Sequence, residues 1–152
     1  MKPLLIGQAP SRKGDPAKPL SRDPLASRLA HLCGLTKEEY LDAFERVNIL
    51  DAWPGKCGKG DAFPLAETRR NAALITADIR NERIVLLGKS VARSFGIKAN
   101  VLKWFRFGAG RAFVLPHPSG VIRWYYDENN VIAARRIMRQ LCKTKQRRPI
   151  TT

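Results

Sequence analysis

Acidic residues are scarce in this sequence. Its 152 residues include 13 Asp and Glu against 28 Lys and Arg, a formal net charge of +15. Ordinary solubility does not call for an imbalance that large. A phosphate backbone is the expected partner, because each phosphate neutralised by Lys or Arg releases counterions; an anionic membrane surface is the main rival. The C-terminal stretch 143–152 carries four of the cations, so the body keeps +11 and the tail alone is not the explanation. Cysteine is also sparse. Cys33, Cys57 and Cys142 are odd in number and widely spaced, with no Cys-x-x-Cys pair, which supports neither a zinc site nor a disulfide framework and leaves a reduced, cytoplasmic protein as the simple expectation. No apolar run reaches the length of a transmembrane helix, and the apolar part of the N-terminus is too short for a secretory signal. No internal repeat or low-complexity segment is visible.

What is present is one domain's worth of chain. With 44% hydrophobic residues it can bury an ordinary core without a metal or disulfide. Four apolar runs predict strands at 3–6, 47–50, 83–87 and 111–116. Between them lie helical patterns. Leu25, Leu29 and Leu32 share one face of a helix that stops at Gly34, and Thr36–Glu39 is a capping-box pattern that opens a second helix. Pro64 sits at the start of a third, running to about Arg80. Lys89–Phe95 predicts a fourth helix and 127–142 a fifth, with Val131, Ala134, Met138 and Leu141 inward. Residues 98–110 fit either a short strand or a packed loop. Strands alternating with helices predict an α/β fold, a three-layer αβα sandwich around a central, mostly parallel four-stranded sheet. The expected layout is a domain over 1–142 and a basic tail over 143–152.

In such folds ligands bind beyond the carboxyl ends of the strands. The unusual residues of this sequence gather at those ends: Gly7–Ser11, Asn48–Trp53, Gly88–Ser90 and His117–Gly120. Gly88-Lys-Ser lacks the glycine-rich cradle upstream that a P-loop requires, so it reads as a tight strand-to-helix turn. His117 is one of two histidines; the other, His31, fits a packed or surface position. His117 lies between Pro116 and Pro118, which fix the backbone on both sides of the imidazole. In the first loop, Gly7 lets a ligand approach the backbone and Pro10 stiffens the turn.

Gly7-Gln-Ala-Pro10 after the first strand, Asn48 in the second, and His117-Pro-Ser-Gly120 after the last, taken in this order, resemble the uracil-DNA glycosylase superfamily. Lys18-Pro-Leu-Ser21, Val47–Leu50 followed by Trp53-Pro-Gly55, and Ile84–Ala92 are similar to its iron–sulfur families. The resemblance spans roughly residues 3–141. It implies cleavage of the bond between a flipped-out base, typically uracil, and deoxyribose. His117 matches the histidine that stabilises the negative charge on the departing base, and Asn48 matches the asparagine that reads the base edge, since an amide both donates and accepts.

The sequence departs from the family at the third task, activation of water. Several branches place an Asp, Glu or Asn within the first motif, where this chain has Gln8 and Ala9. The resemblance leaves Gln8 to position a water, or Asp23 in the downstream loop to act as the carboxylate, with Asp15 a weaker alternative. Ala9 lies beside the base site. Leu20 stands where relatives carry an aromatic that stacks on the base, so either Leu20 packs on it or Trp53 substitutes. Ser11, Ser119 and Gly120 would take phosphates. Ile122, Arg123 and Trp124 have the size and charge to wedge into the gap left by the flipped base, or else the aromatics cap the end of the sheet. Lys13, Lys18, Lys56 and Lys59 could extend the phosphate track. The four cysteines of an iron–sulfur cluster are not present, so no cofactor and no metal are expected.

These residues predict a monomeric, cytoplasmic DNA glycosylase acting on DNA, with no membrane partner. The alternatives are a catalytically silent relative that binds nucleic acid and a nucleotide or nucleoside hydrolase on the same sheet.

Overall fold

A computed structural model describes residues 1–143 apart from 59, 99, 120 and 121. The central sheet has the strand order β2-β1-β5-β7-β6. Its members are β1 (Leu4–Gly7), β2 (Glu45–Asn48), β5 (Arg83–Leu87), β6 (Phe105–Phe107) and β7 (Gly110–Leu115). The first, second, fifth and seventh are mutually parallel, as expected. The ambiguous stretch before β7 resolves as a fifth strand, β6, paired antiparallel to it through a short hairpin. Trp104, just before β6, packs edge-on against Phe113 at 4.8 Å between ring centroids. A lone pair of short strands, β3 (Lys56–Cys57) and β4 (Gly60–Asp61), forms a separate antiparallel ribbon in the loop after β2.

Alternation along the strands builds the three layers. Leu5, Val85, Leu87, Phe113 and Leu115 face one side, where they meet α1 (Leu25–Cys33), α2 (Lys37–Ala43) and α5 (Glu128–Lys143). Leu4, Ile6, Ile84, Leu86, Ala112 and Val114 face the other, against α3 (Leu65–Asp78) and α4 (Lys89–Ser94). Successive side chains of a strand point to opposite faces, so strands covered on both sides become continuous apolar runs such as Ile84–Leu87.

Local signals in the sequence are realised at the helix ends. Thr36 Oγ1 accepts from the Glu39 N–H at 3.1 Å, and Glu39 Oε1 accepts from the Thr36 N–H at 3.0 Å, completing the capping box. Gly34 closes α1 in the left-handed conformation at φ 69°. Strand β2 begins two residues earlier than the apolar run and stops at Asn48, because Ile49 and Leu50 leave the ladder. Their N–H groups instead bond to the carbonyls of Gly7 (3.0 Å) and Gln8 (2.9 Å). Gly88 (φ 96°) turns the chain from β5 into α4, and its N–H bonds to the Leu115 carbonyl at 2.8 Å, which leaves it no part in a phosphate cradle.

Buried Cys33 on α1 has Cys142 of α5 packed nearby. The thiol–thiol contact, reinforced by burial, pushes the Cys33 thiol up. Residues 144–152, most of the expected tail, lie outside the described residues.

Candidate functional site

Parallel pairing puts the carboxyl ends of β1, β2, β5 and β7 on one edge of the sheet. Gly7 and Asn48 are direct register partners there. A cleft of about 490 Å³ opens above them, of the size that small-ligand sites occupy. Ala9, Ser11, Leu20, Asn48, Asp61 and His117 line it, together with much of the loop 10–25.

Asn48 is the most unusual member. It is only 8% exposed, and its Oδ1 has no hydrogen-bond partner among the described residues. A buried, unsatisfied acceptor costs about 1–3 kcal/mol, so a native fold keeps one only where something else supplies the donor. Leu20 presses against the same spot with its backbone at φ 57°, a conformation in which leucine is an outlier. The strain is held from behind: the hydroxyl of fully buried Tyr40 donates to the Leu20 carbonyl at 2.8 Å. An aliphatic wall thus stands where the resemblance implies an aromatic one.

His117 lies two residues beyond β7. Burial, and secondarily the charge of Arg28, hold its imidazole below the usual histidine value of 6.5. Arg28 also donates to the Pro118 carbonyl at 3.1 Å, which fixes the loop carrying the histidine. A neutral imidazole keeps one N–H to donate and adds no positive charge beside Arg28.

Not every predicted residue reaches the cleft. Gln8 does not line it; its Nε2 turns away to the Ala62 carbonyl at 3.5 Å. Trp53 does not line it either. Its Nε1 donates to Asp61 Oδ1 at 3.0 Å, and Arg12 lies over its ring at 5.8 Å, so it braces the rim and does not stack in the pocket. Asp23 is at the cleft wall, but both its oxygens are engaged. Oδ1 accepts from the N–H and hydroxyl of Ser27, and Oδ2 pairs with Lys37 Nζ at 3.1 Å. The Ser27 bond first, and Lys37 second, hold its carboxyl below the ordinary range, which makes it a weak base. Asp15 closes a turn by accepting from the Ala17 N–H at 2.9 Å.

The segment after His117 divides in two. Ser119 and Ile122 line a neighbouring, largely apolar groove of about 440 Å³, with Arg28, His31, Pro118 and Tyr125. Residues Arg123–Tyr126 form a 3-10 turn, in which Arg123 is exposed. Trp124 is half-buried against the core and edge-on to Tyr125 at 4.8 Å. Trp124 is therefore a packing residue, while Arg123 is exposed and half-buried Ile122 lines the groove. The Tyr125 hydroxyl donates to the Pro116 carbonyl. Gly120 and Lys59 lie outside the described residues.

Cations surround these openings. Arg12, Lys13, Lys18 and Arg22 border the cleft. Farther off, Arg135, Arg136, Arg139 and Lys143 share a depression on α5, and Arg135 reaches His31 on α1. The described residues form two ion pairs, Lys2–Asp42 and Lys37–Asp23, and neither involves these groups. Among the described residues, no group of three or more His, Cys, Asp or Glu is placed to hold a metal, and no helix is long and apolar enough to cross a membrane.

The sequence reading missed Arg28, Tyr40 and Asp61. The first two sit on helices whose apolar spacing carries no hint of a cleft, while Asp61 lies on the short ribbon in the loop after β2. No protein-family model matches the chain, and no curated protein matches it in sequence.

Proposed function

We propose that this protein is a DNA glycosylase that hydrolyses the bond between deoxyribose and a flipped-out uracil or closely related base. One observation carries the reading: Asn48, whose buried Oδ1 has no hydrogen-bond partner among the described residues, lines a cleft that His117 also lines. Together they ask for a flat ring presenting an N–H to Asn48 and a carbonyl oxygen to the imidazole. Uracil has both, and the Asn48 amide can also donate to a second ring oxygen. The order of the motifs, which resembles the uracil-DNA glycosylase superfamily, supports the same reading, as does the +15 charge.

When the bond from C1′ to the base nitrogen breaks, its electron pair leaves with the base and negative charge collects on the ring oxygen. A hydrogen bond from neutral His117 strengthens as that charge develops and lowers the barrier. Water adds to C1′ and loses a proton, leaving a free base and an abasic site. Extruding the base costs a few kcal/mol, which contacts to the phosphate backbone offset. Exposed Ser11 and Arg123, with half-buried Ser119 and Ile122 lining the neighbouring groove, are suited to those contacts. The basic depression on α5 extends them. A monomer working on DNA inside the cell is the simplest form of this reading.

The test is incubation with a uracil-containing oligonucleotide followed by hot alkali. Strand breakage at the uracil is expected, and its loss in Asn48→Ala and His117→Ala. No breakage with uracil or hypoxanthine, from protein shown to be folded, overturns the reading. The absence of a carboxylate in the first motif favours one second reading, a silent relative that binds such DNA without cutting it. That protein would retain DNA affinity and yield no abasic sites.

A further inference from the structure

We infer that Asp61 is the carboxylate that faces the sugar and orients the attacking water, a role left open by Gln8, Ala9 and Asp23. This rests on the glycosylase reading and adds the residue that reading lacks. Loss of the base leaves C1′ electron-poor, so a nearby anion stabilises it. The same anion accepts a hydrogen bond from the incoming water and takes its proton as the C1′–O bond forms. The departing base keeps the electron pair, with its oxygen held by His117, and is protonated on release; the carboxylate returns its proton to solvent.

Three carboxylates line the cleft: Asp15, Asp23 and Asp61. Asp15 is committed to its turn, and Asp23 to Ser27 and Lys37. Asp61 uses one oxygen, Oδ1, to accept from Trp53 Nε1 at 3.0 Å, and no cation pairs with it among the described residues. Its second oxygen is therefore available, and the Trp53 bond fixes the direction of the group. The ribbon β3–β4 is tied down at this point. The Ala62 N–H bonds to the Gly55 carbonyl at 2.7 Å, and the Ala62 carbonyl accepts from Gln8 Nε2 at 3.5 Å. The residue after Asp61 is thus tied to the first loop, and Asp61 lines the cleft together with Ala9. Asn48, whose buried Oδ1 has no partner among the described residues, lines the same cleft as Asp61. A carboxylate missing from the first motif is delivered by a ribbon folded over it.

The experiment is single-turnover excision of uracil at saturating DNA, using the full chain and its Asp61→Asn, Asp61→Gly and Trp53→Phe variants. Asp51→Asn, an exposed position outside the cleft, serves as the control. Asp61→Asn is expected to slow excision by about 100-fold or more while DNA affinity holds or rises, since a negative charge is removed. Trp53→Phe, which loses the orienting donor, is expected to slow it by about 10-fold. Added formate is expected to restore part of the rate to Asp61→Gly and to leave Asp51→Asn unaffected; a merely structural aspartate would not be rescued this way. If wild-type protein excises uracil and Asp61→Asn stays within about threefold of it, the role of Asp61 is overturned and the glycosylase reading stands. If folded wild-type protein excises nothing, both fall together.

Discussion

A β-carbon on residue 7 would lie 2.6 Å from Asn48 Oδ1 and 2.6 Å from Leu20 Cδ2. Gly7 is the point where the Asn48 amide and the aliphatic wall of the cleft come together over the backbone. Side chains do not tolerate such approaches, so Gly7→Ala would push Asn48 or Leu20 out of place. Overpacking of this kind costs about 1–3 kcal/mol. The expected result is a folded protein of lowered melting temperature that has lost nearly all uracil excision, measured by thermal unfolding alongside the alkali-cleavage assay.

Asn48 should show the opposite sign in stability. Its buried Oδ1 is a cost in the free protein, so Asn48→Ala removes that cost while vacating a small space. Thermal unfolding is expected to show no loss, or a gain of about 1 kcal/mol, while excision falls by about 100-fold or more. A marked drop in melting temperature would mean that Asn48 is satisfied and structural.

The pH dependence follows from His117, whose pKa is held below 6.5 by burial and by Arg28. Neutral imidazole is the working form, so excision should be level at neutral pH and decline only as pH falls through the depressed value. Stability moves the same way. The unfolded chain binds the proton first, so the contribution is complete above about 6.5 and is lost as pH falls through the folded pKa. Arg28→Gln removes the opposing charge and is expected to move the acid limb of the rate profile to higher pH. An unmoved limb would separate the decline from His117.

Tyr40→Phe deletes the hydroxyl that holds the strained Leu20 carbonyl. A loss of about 1 kcal/mol in stability is expected from the bond itself. Release of the left-handed backbone should also let Leu20 retract, raising KM for uracil DNA more than it lowers kcat.

Binding to DNA should weaken steeply with salt. Replacing both Arg136 and Arg139 by Gln is expected to reduce the slope of log affinity against log salt by about 2 if each contacts one phosphate of a duplex. An unchanged slope would confine the interface to the cleft side.

Much of the architecture was legible because it rests on local pattern. The runs Leu4–Ile6, Ile84–Leu87 and Phe113–Leu115 are apolar on both faces, as parallel strands between two helix layers must be. Thr36 and Glu39 sit at capping spacing, and Gly34 marks a helix end. Strand β6 was legible only as one of two alternatives, a short strand or a packed loop, because three residues in a hairpin give a short signal and Trp104 beside them serves packing. Within the cleft, Asn48 and His117 were visible because loops at strand ends bring them together by topology alone. Gln8 and Trp53 do not line the cleft, and Asp23 lines it with its carboxylate already engaged. Their side chains are redirected by single hydrogen bonds to Ala62, to Ser27 with Lys37, and to Asp61, and no spacing rule encodes those choices.

The strand order has a kinetic consequence. β1, which precedes the other strands in the chain, lies between β2 and β5, so its ladder cannot close until residue 87 is in place, and the sheet is not complete until β7 joins β5. Within the central sheet, the β6–β7 hairpin is the one local pairing among the described residues; the other strand pairs require loops of tens of residues to close first, which slows folding. The cleft draws on residues 7–25, 48, 61 and 117. It therefore assembles only in the finished domain, and during refolding the return of base excision should coincide with the last step of sheet assembly and not precede it.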